Sequence, residues 1–130
     1  MKVKSIYIIG LLLLLVSCSN SKKEALSDMD VAREFIKDCN ENNFAAAKQF
    51  LLPDAANQDF LQVAEKSFSS KNEQDLAAYK NADLIIHEFQ QLGDTVSILT
   101  YSNSHKKDIR QKLKLVKVNE QWLVDLKYTF

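Results

Sequence analysis

The 130-residue sequence is short of glycine, cysteine and histidine, with two of each, and it has no excess of charge of either sign. Each scarcity excludes something. Two glycines leave neither a Gly-rich loop to cradle a phosphate nor a nucleophile elbow, since both motifs need several glycines at fixed spacing. The two histidines, His87 and His105, have no partner at ligand spacing and sit in no Cys or Asp/Glu cluster, so no metal site is expected and no cofactor is implied. Seventeen basic residues balance seventeen acidic ones. Nucleic-acid binding would favour a strong basic excess interleaved with exposed aromatics, and no nucleic-acid partner is expected. The charges are segregated: residues 24–94 carry 14 acidic against 6 basic side chains, whereas residues 106–127 carry 7 basic against 3 acidic. What remains is ordinary globular composition, 46% hydrophobic and 26% charged, at a length that suits one core.

The front of the chain reads as a secretion signal. Lys2 and Lys4 precede an apolar run from Ile6 to Val16 that includes five consecutive leucines, and polar residues resume at Ser17. That run is about half of the roughly 20 residues a membrane-spanning helix needs. Leu15-Val16-Ser17-Cys18 directly follows it and resembles the lipobox of bacterial lipoproteins, which implies cleavage before Cys18 and a lipid on its sulfur. An ordinary cleavage nearby would instead leave Cys18 a stray thiol in an oxidising compartment. Several acyl chains on one cysteine give lasting attachment. The expected organisation is a signal over residues 1–17, a polar tether over 18–25 and a single domain over 26–130. Asn20-Ser21-Lys22-Lys23 lacks the acidic run of some surface-sent lipoproteins, and Ser19 is not the aspartate that retains lipoproteins at the inner membrane. The periplasmic face of the outer membrane is the expected location.

The front half of the domain has helical periodicity. Ser27-Asp28-Met29-Asp30 fits a capping box, and Val31, Ala32, Phe35, Ile36 and Cys39 follow on one stripe. Asn40 to Asn43 breaks this helix; Phe44, Ala47 and Leu51 form a second helical face that Pro53-Asp54 stops. A third stretch carries Phe60, Leu61, Ala64 and Phe68, with a further turn or two around Leu76 and Tyr79. From Leu84 the period becomes two, giving four strands.

Two loops set the expected strand registers. A two-residue loop at Asn119-Glu120 places Leu115 opposite Val124, Leu113 opposite Leu126, Gln111 opposite Tyr128 and Lys117 opposite Trp122 on a core face, with Val116/Leu123, Lys114/Asp125 and Lys112/Lys127 outside. A two-residue loop at Gly93-Asp94 places Phe89 opposite Ile98, Gln91 opposite Val96, His87 opposite Thr100 and Ile85 opposite Ser102, also facing inward. The fold class is therefore α+β, with N-terminal helices packed on a curved antiparallel sheet of at least four strands.

The lipobox, the helix Val31-Ala32-Arg33-Glu34-Phe35-Ile36, the segment Asn43-Phe44-Ala45-Ala46-Ala47-Lys48 and the closing hairpin from Leu113 to Asp125 together resemble small Gram-negative lipoproteins with a domain of unknown function. That resemblance implies the cone-shaped fold of nuclear transport factor two. Glu120 departs from the glycine usual in that family's last turn.

Candidate chemistry is sparse. Cys39, the one thiol left once Cys18 carries a lipid, falls on a core stripe. Asp125 stands where enzymes on this cone commonly place a base, yet the register points it outward toward Lys114 as an ion pair. Lys106, Lys107, Arg110, Lys112 and Lys114 read as a solvated face that discourages edge pairing, or as an anion strip. The polar residues expected inside, His87, Thr100, Gln111 and Tyr128, either satisfy the core or orient a ligand in a pocket between sheet and helices. With no carboxylate beside His87, the expected function is a non-enzymatic envelope domain that binds a small molecule or an envelope protein. An isomerase- or dehydratase-like enzyme and a structural subunit are the alternatives.

Overall fold

The computed structural model describes residues 25–128, so the signal, Cys18 and most of the tether lie outside the described residues, as does the side chain of Tyr128. Helix α1 (Asp28–Asn40) starts at a reciprocal capping box: Asp30 N–H donates to Ser27 Oγ at 3.1 Å, and Ser27 N–H donates to the Asp30 carboxylate at 3.3 Å. Val31, Ala32, Phe35 and Ile36 are buried along its inner stripe, with Cys39 packed beside them. The chain reverses through Asn42, whose φ of 58° is a left-handed conformation that asparagine tolerates. Asn43 then caps the short α2 (Phe44–Ala47), which tightens into a 3-10 turn at Lys48–Phe50. Asp54 caps α3 (Ala55–Ser69), and Asn72 caps α4 (Glu73–Asn81), the stretch around Leu76 and Tyr79.

The strands β1 (Leu84–Gln91), β2 (Val96–Asn103), β3 (Gln111–Val118) and β4 (Gln121–Asp125) form an antiparallel meander in the order 1-2-3-4. The helices cover one face of the sheet, and Leu99, Leu113, Leu115 and Val124 are fully enclosed between the layers with Phe35, Phe44 and Leu61. Leu51 extends the sheet's shelter by bridging to Val124, and Leu52 N–H donates to the Val124 carbonyl at 2.9 Å. Of the third helical face, Leu61 and Phe68 pack inward, whereas Phe60 is half exposed.

The last hairpin has the expected register from Val118 to Asp125: Lys117 faces Trp122, Leu115 faces Val124 and Lys114 faces Asp125. Asn119 and Glu120 both have positive φ, 49° and 64°, as a two-residue primed turn requires. Beyond Asp125 the ladder stops, because Leu126–Tyr128 winds into a 3-10 turn. The pairs Leu113/Leu126, Gln111/Tyr128 and Lys112/Lys127 are therefore absent from the ladder.

The first hairpin differs more. Leu92 N–H donates to the Val96 carbonyl at 2.8 Å, so the loop holds three residues, Gly93, Asp94 and Thr95. Phe89 consequently faces Leu99, and Gln91 faces Ser97. A bulge at His87 absorbs the extra residue, and Ile85 still faces Ser102. The consequence is a change of face: Ser97, Leu99 and Tyr101 lie on the helix side of β2, and Val96, Ile98, Thr100 and Ser102 on the other.

Candidate functional site

A half-open cavity of about 360 Å³ lies between the helices and the sheet, at the end of the sheet opposite the two hairpin turns. Its walls are apolar: Phe35 and Ile36 come from α1, Phe44 from α2, Leu61 and Phe68 from α3, and Leu113 from β3. Polar groups gather where α1, β2 and β3 end or begin, namely Asn40, Asn103 and Gln111, and Lys71 follows α3. An aromatic series runs along one side, each ring edge-on to the next: Phe44 to Phe68 at 5.9 Å, Phe68 to Tyr79 at 5.3 Å and Tyr79 to His105 at 4.9 Å. Lys71 Nζ lies 5.3 Å from the centre of the Tyr79 ring.

Burial acts on two weakly acidic groups of the lining, Cys39 and Tyr101, and holds both protonated. Burial, with a smaller contribution from the Asp38 charge, pushes the Cys39 thiol up to about 12. Burial also raises the Tyr101 phenol above its ordinary range. Its hydroxyl donates to Gln111 Oε1 at 2.8 Å, which leaves the Gln111 amide NH2 without a partner among the described residues. Lys71 is the one charged side chain of the lining, and no carboxylate or imidazole contributes to it. The arrangement suits an apolar body with a hydrogen-bonding or anionic head.

Of the four residues expected to share an inner face, Gln111 alone is placed at this cavity. Thr100 points to the opposite face of the sheet. The bulged His87 goes with it, bonding through Nε2 to Ser102 Oγ at 2.7 Å. The Tyr128 side chain lies outside the described residues. The structure thus does not bring the four together. The other histidine, His105, stands behind Tyr79, with Nε2 buried, 3.6 Å from Asp75 Oδ1 and without a hydrogen-bond partner. Four lining residues lie outside that expected set: Cys39, Phe68 and Tyr79 come from helices, and Tyr101 from the face of β2 that alternation places outside. Cys39 and Phe68 were visible as helical core positions; that they edge a cavity was not.

Asp125 faces Lys114 in the ladder, but its carboxylate is buried and serves the interior. It accepts from Asn57 Nδ2 at 3.1 Å, while Asn57 Oδ1 accepts from Leu126 N–H at 2.6 Å. Asn57 itself is fully buried and also donates to Asp54. This cluster fastens the start of α3 to the end of β4. At the other end of the sheet the buried Asp28 accepts from Ser97 Oγ and from Gln91 Nε2, fastening the start of α1 to β1 and β2. Among the described residues no group of three His, Cys, Asp or Glu side chains is arranged to hold a metal ion.

No protein-family model and no curated protein matches the chain. Among solved structures, an NTF-2 like protein of unknown function from Shewanella oneidensis MR-1 superposes with a TM-score of 0.52, over 75% of this chain and 91% of that one, at 13% identity. The fold is NTF2-like. At that identity the likeness concerns the architecture, and in an NTF2-like cone the space between helices and curved sheet is where this chain's cavity lies. Among the described residues no helix is long and apolar enough to cross a membrane.

Proposed function

We propose that this chain is a lipid-anchored envelope domain, held through Cys18 at the periplasmic face of the outer membrane, that binds rather than transforms its ligand. The ligand is a small, mainly apolar molecule, or an apolar segment of an envelope protein. The observation that carries the reading is the cavity itself. It has apolar walls, free donors at Gln111 and Lys71, and no carboxylate or imidazole in its lining. The anchor is supported by Leu15-Val16-Ser17-Cys18 and the apolar run before it.

An anilinonaphthalene sulfonate dye, apolar with one anionic head, is a suitable probe of the full-length protein. It should brighten on binding, and Lys71→Met and Gln111→Leu should each weaken it by about 1–3 kcal/mol, as loss of a hydrogen bond to a charged group does. Thr100→Val, on the opposite face, should leave the affinity alone. Equal affinity in all variants would reject the cavity as the site, and a turnover abolished by Tyr101→Phe would overturn the non-enzymatic reading.

A further inference from the structure

The residue at which the described chain begins stands at one end of the sheet. Asp28, near the start of α1, is bonded to Gln91 and Ser97, the last residue of β1 and the second of β2. The two hairpin turns lie at that same end, joined where Lys117 N–H donates to the Thr95 carbonyl at 2.8 Å. Three large apolar side chains are exposed there: Leu26 just before α1 at 45%, Leu92 leading into the first turn at 53%, and Val118 leading into the second at 40%. The cavity lies toward the other end, among Tyr101, Asn103 and Gln111.

We infer that this turn end is a membrane-contacting rim, with Leu26, Leu92 and Val118 entering the lipid interface so that the cavity faces away from the bilayer. The inference rests on the proposed lipid at Cys18. Seven peptide units separate Cys18 from residue 25, and whatever their conformation they span at most about 25 Å. An eight-residue strand is about 27 Å long. Bringing the opposite end of the sheet to the bilayer, where Ile109 is also exposed, would lift residue 25 to or past the limit of a fully stretched tether. The turn end reaches the surface well within that limit. Phe60 and Val63, exposed on α3, lie on the flank of the helical layer and outside this rim. Apolar side chains at a surface held beside lipid gain by entering the headgroup boundary, and an acyl anchor plus such a contact fixes orientation as well as attachment.

The test uses the full-length protein processed in its host and reconstituted into phosphatidylethanolamine/phosphatidylglycerol vesicles that contain nitroxide-labelled acyl chains. Intact mass is measured first. In a Cys39→Ala background, an environment-sensitive fluorophore is placed at Leu92→Cys, at Val118→Cys and, at the opposite end, at Lys107→Cys. Quenching by the nitroxide lipid should be about twofold or more stronger at 92 and 118 than at 107, as fits side chains about 5–10 Å into the boundary. Equal quenching, or stronger quenching at 107, in a protein that carries acyl mass would overturn the rim and leave the anchor standing. A blue shift at 92 and 118 without nitroxide quenching would mean that protein covers the rim, which also overturns it. A processed protein with no acyl mass would remove the anchor and, with it, the inference.

Discussion

Glu120 is a residue whose conformation works against its type. The last hairpin needs positive φ at both turn positions, and Asn119 at 49° is suited to that while Glu120 at 64° is not. A left-handed residue with a β-carbon costs roughly 1–2 kcal/mol, of which glycine's greater unfolded-state entropy would return about 0.5–1. Glu120→Gly should therefore stabilise the fold by about 0.5–1 kcal/mol, read as a higher urea midpoint at unchanged slope. The 3.5 Å contact between Lys117 and Glu120 is too exposed to offset this. A lowered midpoint would show that the turn is unstrained. Single residues also explain what strand alternation misread. In β2 the β-branched Val96, Ile98 and Thr100 look like the inner set, yet Ser97 takes an inner place because Asp28, distant in sequence, accepts its hydroxyl. Nothing around Ser97 signals that partner.

At the level of elements, α1 and the β3–β4 hairpin were legible and the β1–β2 register was not. Helix α1 has a capping box and an apolar stripe that agree; the second hairpin has an unambiguous turn flanked by Leu115 and Val124. In the first hairpin the three-residue loop and the bulge at His87 nearly cancel, so Ile85 meets Ser102 as a two-residue loop would have it, while Phe89 and Gln91 stay on the inner face and take Leu99 and Ser97 as partners, which turns Val96, Ile98 and Thr100 outward. The junction of β4 with α3 gives an element-scale prediction. The Lys127 ammonium, 2.8 Å from Asp54 Oδ2, and the Asn57 N–H together hold the Asp54 carboxyl down to about 2. A carboxyl depressed in the folded state contributes stability that is present above its ordinary value near 4 and is lost as pH falls from about 4 through 2. Carbon-detected titration should show the Asp54 midpoint near 2, and Lys127→Ala should raise it toward the ordinary range. An unmoved midpoint in that variant would assign the depression to the helix cap alone.

For the whole molecule, two buried carboxylate clusters take the place of covalent ties, since the described chain has Cys39 as a free thiol. Asp28 with Ser97 and Gln91 fastens the helical layer at the turn end; Asn57 with Asp125 and the Leu126 N–H fastens it beside the cavity. The layers between them were legible as hydrophobic pattern, but the cavity was not, because its lining is drawn from four helices and two strands whose spacing only the assembled layers set. Asn57 is the more demanding of the two ties. Removing its side chain takes from the buried Asp125 its amide donor, leaving it the Lys127 N–H at 3.2 Å, and leaves the Leu126 N–H without an acceptor, so Asn57→Ala should cost roughly 2–4 kcal/mol in a denaturant melt. Ser97→Ala should cost about 1–2 kcal/mol, because Asp28 keeps Gln91 and the Met29 N–H. The clusters share no partner, so the double variant should lose the sum to within about 0.5 kcal/mol. A loss well below the sum would mean that the two ends of the layer open together, and that loosening either one already frees the cavity walls.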